Sequence, residues 1–216
     1  MIDLKIAKEI VEICRRLHAR NMLASADGNV SIRISSDKIL ITPSGINKGF
    51  IKPSDLSVMT LGNQVLDGAP SGERLLHLEV YKLCPKARCV VHAHPPTAIA
   101  WSVAHPQLRE LPPHALSEVI LAVGSIPIVP YARPTTAAVA EGVRPYLPSR
   151  RAMILARHGA LSWGETADEA YNGMERIEHA ATILATAVSL GGLTDLPESE
   201  VQALQAMRAK TGDRTL

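Results

Sequence analysis

The sequence predicts an α/β/α three-layer domain built on a central, largely antiparallel sheet. Three observations carry this expectation. Short segments of alternating polarity follow one another early in the chain with only tight turns between them, as antiparallel hairpins do. The runs at 88–94 and 152–156 are apolar enough to be buried strands. The segments at 1–21 and 166–190 repeat apolar residues at helical spacing, so helices must cover the sheet.

In chain order, residues 1–21 read as an amphipathic helix with Ile6, Ile10, Ile13, Cys14 and Leu17 on its inner stripe. Asp27-Gly28 marks a turn. Val30, Ile32 and Ile34 then alternate with polar residues, the pattern of a half-buried strand. Ser35-Ser36-Asp37 turns the chain back into Ile39-Leu40-Ile41, and Thr42-Pro43-Ser44-Gly45 ends that strand in a tight loop. Residues 56–61 and 64–66, split by Gly62-Asn63, read as another hairpin. A helix is expected from Glu73 to Cys84, with Leu76, Val80 and Leu83 inward. Helical segments at 97–104 and 115–123 follow the buried strand at 88–94. Residues 126–129 form a strand that Pro127 and Pro130 assign to a sheet edge. Thr135-Thr136 opens a helix reaching Tyr146. The strand 152–156 runs into His158-Gly159, and residues 160–162 are expected to continue it. The longest helix, 166–190, carries the stripe Ala170, Met174, Ile177, Ala181, Leu184 and Val188 and ends at Gly191-Gly192. A short helix covers 198–210. No linker, repeat or low-complexity tract interrupts the chain, so residues 1–216 are expected to form a single domain.

Composition narrows the function. The net charge of +2 is too small to point to nucleic acid or an anionic membrane surface. One Phe, two Trp and four Tyr are too few for a base-stacking platform. No apolar run approaches the roughly 20 residues of a membrane helix, and the start MIDLKIAKEI has no apolar signal core. Three cysteines are an odd number and argue against a disulfide framework, so a cytoplasmic location is expected. There is no G-x-G-x-x-G after a first strand, which sets dinucleotide binding aside.

The most informative stretch is Val90-Val91-His92-Ala93-His94-Pro95. Residues two apart on a strand project from one face, so His92 and His94 can turn toward one ion. Two exposed histidines near a turn are the plain alternative. His158 weighs against it, because it also follows an apolar strand and precedes Gly159, where backbone can approach closely. Three histidines would leave one position of a zinc ion open for substrate. His18 and His179 fall in expected helices, His105 in a loop, and His114 is a weaker candidate for substrate contact. His77 lies one helical turn beyond Glu73, where it can support the site from behind. Cys84 and Cys89 precede His92, and buried free cysteine is their ordinary reading.

Two loops have the makings of an anion site. Thr42-Pro43-Ser44-Gly45 and Pro70-Ser71-Gly72-Glu73 each offer hydroxyls, a glycine and unpaired backbone N–H groups, and the second opens a helix. Asn29 can add an amide and Lys48 a charge.

With Gly28-Asn29-Val30-Ser31, these loops, His92-Ala93-His94 and Arg157-His158-Gly159 in this order, the chain resembles the class II aldolase/adducin family over about residues 5–190. The resemblance implies a homotetramer with active sites at subunit interfaces. It implies one Zn2+ per subunit on His92, His94 and His158, phosphate on Asn29, Ser44, Gly45, Ser71 and Gly72, and Glu73 as the proton shuttle. Among family members the chain is most similar to aldolases that cleave fuculose-, 5-deoxyribulose- or 5-methylthioribulose 1-phosphate to dihydroxyacetone phosphate and an aldehyde. It departs from the fuculose type where that type has a second serine (here Gly72), a threonine (here Ala26) and tyrosines (here Ala115, and none after Tyr171). Those tyrosines serve the aldehyde half of the substrate, so Leu111 and Leu116 are expected to line that half instead. An L-ribulose-5-phosphate 4-epimerase, a methylthioribulose-1-phosphate dehydratase and a non-enzymatic adducin-like scaffold are the alternatives. Glu73 disfavours the first, which usually carries Asp there, and the three histidines disfavour the last.

Overall fold

Asp3 opens the first helix by accepting the Lys5 N–H at 2.8 Å, so one orphan donor of the first turn is satisfied. That helix, α1 (Leu4–Ala19), buries Ile10, Ile13, Cys14 and Leu17, the stripe its spacing predicts. The computed structural model describes residues 3–212 and 214. Next come β1 (Asn29–Arg33), β2 (Lys38–Ile41), β3 (Ser57–Thr60) and β4 (Val65–Asp67), which form an antiparallel meander. Then follow α2 (Arg74–Leu83), β5 (Cys89–Ala93), α3 (Pro96–Ala104), α4 (Ser117–Ala122), β6 (Ile128–Val129) and α5 (Ala137–Val143). The chain ends with β7 (Ala152–Leu155), β8 (Gly159–Gly164), α6 (Ala167–Ser189) and α7 (Glu198–Thr211).

The strands make one eight-stranded sheet in the order β4-β3-β2-β1-β5-β8-β7-β6. Every pairing is antiparallel except β6 with β7, and β6 lies at the edge its two prolines predict. Two apolar cores form, one on each face of the sheet. Ile10, Leu17, Val30, Ile32, Cys89, Val91, Ala160 and Ile177 belong to the face covered by α1, α3 and α6. Leu76, Val80, Val139 and Val143 of α2 and α5 pack with Ile39, Ile41, Val90, Met153 and Leu161 on the other. Along β5 the two-residue alternation therefore sends Cys89, Val91 and Ala93 toward α6 and Val90 toward α2. The thiols of Cys14, Cys84 and Cys89 are buried, and burial pushes those of Cys14 and Cys84 up to about 12. Among the described residues no helix is long and apolar enough to cross a membrane.

Three expectations change. Residues 160–162 do not continue the strand 152–156. The chain reverses at 156–158, where Arg157 has φ +59° and His158 N–H closes on Leu155 O at 3.1 Å, and β8 returns antiparallel to β7. β1 is not half-buried, because α2 covers the face that carries Asn29 and Ser31 and satisfies Ser31 through His77 and Tyr81. Val188, placed on the inner stripe of the longest helix, is exposed near the helix end, past the last buried stripe residue, Leu184.

The start of α6 lies against the end of β8 because Gly164 has no side chain. A Cβ there would meet Glu169 Cβ at 2.5 Å and Ala170 N at 2.7 Å. Gly164→Ala should therefore cost about 1–3 kcal/mol of overpacking strain. The measurement is a lower urea midpoint at unchanged slope; an unchanged midpoint would mean that α6 shifts freely.

Candidate active site

β1 and β5 pair antiparallel with Asn29 opposite His92, so the first residue of one strand meets the fourth of the other. His92 shares the α2-facing side with Val90, and its side chain is fully buried at the foot of a cleft. His94 lies two residues further, just past the strand end, where its N–H bonds Met22 O at 2.8 Å. The β7–β8 reversal brings His158 in from the other side. Gly159 allows this approach, because a Cβ there would lie 2.6 Å from Ala93 O and 2.8 Å from ring atoms of both His92 and His94. The three ring centroids are 5.0, 4.8 and 5.3 Å apart.

The ring nitrogens are oriented from behind. His92 Nδ1 lies 2.9 Å from Ala160 O, and a carbonyl only accepts, so Nδ1 carries the hydrogen and Nε2 presents a lone pair. His94 Nδ1 lies 3.3 Å from the Asp27 carboxylate, which likewise turns its Nε2 inward. The two Nε2 atoms then face each other at 3.2 Å. Two lone pairs at that distance repel unless a cation lies between them. Glu73, at the N-terminus of α2, completes the group: Oε2 is 3.0 Å from His92 Nε2 and Oε1 3.1 Å from His158 Nε2. Oε1 is nonetheless buried without a hydrogen-bond donor, because the ring geometry at that distance does not make a bond. Burial raises the Glu73 carboxyl, but the His158 and His92 imidazoles outweigh it and hold the group below the usual carboxylate range. Burial, followed by the neighbouring His92, lowers His94 to about 4, so it is neutral at pH 7. Donor atoms of Glu73, His92, His94 and His158 all lie within 4.8 Å of one another. Three imidazoles and a carboxylate converging on one point suit a divalent transition ion.

A second polar chain runs behind Asn29. His77 Nε2 bonds Asn29 Oδ1. This oxygen only accepts, so Nε2 donates and His77 Nδ1 accepts from Ser31 Oγ at 2.7 Å. Ser31 Oγ in turn meets Tyr81 OH at 2.9 Å. With Oδ1 so engaged, the Asn29 side-chain NH2 is the group left for the cleft. Burial holds His77 at about 3, which keeps this chain neutral.

The two anion loops are tied together by Ser44 N–H to Ala69 O at 2.9 Å and Ser71 N–H to Thr42 O at 3.1 Å. Ser44 and Ser71 thus spend their backbone donors on each other's loops. Among the described residues the N–H groups of Gly45 and Gly72 have no acceptor. Both loops face a cleft of about 400 Å³. It is lined by Asn29, Ser44, Gly45, Ser71, Gly72, Glu73, His94 and His158 from the sequence reading. Four further positions line it that the pattern had not assigned to the site: Ala26, Asp27, Pro134 and Thr135. Lys48 also lines it; its Nζ donates to Ala26 O and Ile46 O at 2.7 Å each, and burial lowers its pKa. Asp27 had read only as part of a turn, and nothing local to 134–135 signals a site.

The remaining histidines lie elsewhere. His18 bonds Leu23 O through Nδ1 and meets Phe50 edge to face. His105 packs on Trp101 with the rings tilted, and His179 lines an open hollow with Arg20, Asn172, Glu175 and Arg176 where the described residues gather no metal-ligand set. His114 is outside the cleft, its carbonyl accepting Leu196 N–H. Leu111 and Leu116 do not line the cleft either. Leu111 is buried in the core and Leu116 packs against it, because the 111–122 segment lies on the α6 side of the sheet.

A family model for the class II aldolase and adducin N-terminal domain matches residues 8–185. A 3-oxo-tetronate 4-phosphate decarboxylase of Escherichia coli is 30% identical over 189 residues, covering 85% of this chain and 87% of that one. An L-fuculose phosphate aldolase of Methanococcus vannielii is 32% identical over 176 residues, 82% of this chain and 93% of that one. The crystal structure of Escherichia coli YgbL, described by the alternatives aldolase, epimerase and decarboxylase, superposes with a TM-score of 0.87 at 27% identity. It covers 94% of this chain and 98% of that one.

Two outcomes follow from this geometry. If the cluster holds a divalent ion, Asp27→Asn should weaken its binding about 10–100-fold, because the partner that turns His94 is lost. Chelator competition measures it, with His94→Ala as the variant that loses the metal; full loading of His94→Ala would sink the ligand set. In metal-free protein, His77 and His94 refuse protons that unfolded imidazoles take up at about pH 6.5. The unfolded state binds more protons below that pH, so stability is full above it and is lost as pH falls toward about 3. The urea midpoint should drop between pH 7 and pH 4, and His77→Gln should flatten the slope. A flat wild-type profile would rule this out.

Proposed function

This chain belongs to the class II aldolase and adducin family, and on that premise we propose that it is a zinc-dependent aldolase cleaving a ketose 1-phosphate to dihydroxyacetone phosphate and an aldehyde. The enzyme type follows from the family; the substrate is the proposal. The observation that carries it is the meeting, in one cleft, of three converging imidazoles, a carboxylate and two linked loops with free N–H donors. Residues 1–216 are taken as one domain, working in the cytoplasm as a homotetramer whose clefts are completed at subunit interfaces. Exposed Phe50 and Tyr131, in the loops that carry Lys48 and Thr135, fit such an interface.

In this reading His92, His94 and His158 hold the ion. Once bound, zinc would supply Lewis acidity that stabilises the negative charge developing on the substrate. Asn29 NH2, the Ser44 and Ser71 hydroxyls and the Gly45 and Gly72 N–H groups take the phosphate, at the positive end of α2. Lys48 adds charge there. Holding the phosphate orients the C3–C4 bond against the metal and Glu73. When that bond breaks, the C4 hydroxyl releases a proton as the aldehyde forms, and C3 keeps the electron pair. Glu73, ionised at rest, has the position to take up a proton and return one to C3, which yields dihydroxyacetone phosphate.

One observation favours a second reading. The cleft has no tyrosine lining it and none from the 111–122 segment, so few groups are at hand to manage the aldehyde's hydroxyl. A 3-oxo acid that loses carbon dioxide leaves the same three-carbon phosphate fragment and has no hydroxyl proton to surrender. The phosphate and metal roles carry over, while Glu73, ionised at rest, would here relay a solvent proton to the carbon that has lost carbon dioxide.

The test is product analysis on the zinc-loaded enzyme with fuculose, 5-deoxyribulose and 5-methylthioribulose 1-phosphates, and separately with 3-oxo-tetronate 4-phosphate. Dihydroxyacetone phosphate with an aldehyde supports the aldolase, and with carbon dioxide the decarboxylase. Its absence from every substrate would remove both. Glu73→Gln should keep its metal and lose roughly 10²-fold or more in turnover. Solvent exchange of the dihydroxyacetone phosphate proton should fall with it.

A further inference from the structure

Thr135 holds a backbone conformation that its residue type resists. Its φ is +66°. It is the third residue of a reverse turn from Arg133 to Thr136, closed by Thr136 N–H to Arg133 O at 3.4 Å, with Pro134 second. Proline second and positive φ third is the pattern of a type II turn, whose third place favours glycine. A β-branched residue there is a true outlier. Such strain persists where a side chain serves a purpose that offsets it. The core does not explain it, because Thr135 is exposed and lines the cleft.

Gly72 supplies the other half of the argument. This chain has Pro-Ser-Gly-Glu where its family resemblance calls for a second serine, so the phosphate end of the cleft lacks one hydroxyl. A Cβ placed on residue 72 would lie 3.7 Å from Thr135 Cγ2. The two positions therefore face each other on one stretch of wall, with the Thr135 methyl within van der Waals reach of the place a side chain at 72 would occupy. Rotation about χ1 exchanges methyl and hydroxyl between staggered positions, so Oγ1 can reach that space.

We infer that Thr135 supplies the hydroxyl that position 72 lacks, donating a hydrogen bond to the substrate phosphate from the 133–136 turn instead of the α2 N-terminus. The inference rests on the phosphate-binding part of the proposed function and adds a specificity-determining residue to it. It also explains why threonine is kept at a glycine place: the hydroxyl is needed and the glycine is not.

The probes are inorganic phosphate and dihydroxyacetone phosphate, titrated calorimetrically into the zinc-loaded full chain, with Tm measured on the same samples. Thr135→Gly should weaken both probes about 10-fold, the range of one hydrogen bond to a charged group. It should at the same time raise Tm by a few degrees, because glycine is at ease at this φ. A residue with a merely structural role would lose stability, or leave affinity alone. Thr135→Ser should bind as wild type, and adding Gly72→Ser to Thr135→Gly should recover most of the lost affinity. Wild-type affinity in Thr135→Gly overturns the inference and leaves the proposed function standing. Failure of the wild-type protein to bind either probe overturns the phosphate assignment itself, and this inference with it.

Discussion

Two imidazole lone pairs facing each other at 3.2 Å are the constraint around which this molecule is arranged. Left alone they repel, and one of the two rings is fully buried, where water cannot relieve the repulsion. Much of the surrounding structure serves to hold them there. The Ala160 carbonyl and the Asp27 carboxylate engage the opposite ring nitrogens. Gly159 removes the side chain that would push the β8 backbone away. Glu178 accepts the Thr97 and Ala98 N–H groups at 3.0 to 3.1 Å and so pins the start of α3, directly after His94-Pro95. A site so held is ready for a cation and needs little reorganisation to receive one.

The anion half is held by a different device. The Tyr81–Ser31–His77–Asn29 chain is buried, and a partly satisfied buried chain would be costly. Each member has a partner, and the donor–acceptor logic runs in one direction from the known acceptor, Asn29 Oδ1. Its end product is the orientation of one amide. The same helix, α2, carries Glu73 at its N-terminus and His77 one turn later. A shift of α2 along the sheet would therefore disturb Glu73 and the amide together.

The proposed division of the cleft is compatible with the different reactions named among the relatives. Fuculose phosphate aldolase and 3-oxo-tetronate 4-phosphate decarboxylase both appear among the similar proteins. Both names describe phosphorylated substrates, and loss of either an aldehyde or carbon dioxide can leave the same three-carbon fragment. In the proposed function the metal, phosphate and proton-transfer groups all act on that fragment. What distinguishes the reactions lies beyond it, where this chain places Leu111 and Leu116 in the core and no tyrosine in the cleft.

The sequence by itself determined whatever depends on neighbours in the chain. Alternation along 88–94 put His92 and His94 on one side, helical spacing chose Leu76 and Val80 as the inner face of α2, and the proline–glycine loops announced themselves. An apolar strand followed by His158-Gly159 pointed to the third histidine, and the motif order pointed to the family and, through it, to the role of Glu73. Only the tertiary structure decided how these parts meet. The reversal at Arg157 turned an expected continuous strand into a hairpin and swung His158 inward. The pairing of β1 with β5 set Asn29 beside His92 and brought Asp27 under His94. Thr135, which the sequence reads only as the opening of a helix, reached the cleft from the turn ahead of α5. The physical reason is that side-chain direction follows from local periodicity, whereas strand register and loop approach follow from packing between residues far apart in the chain, which no window of sequence contains.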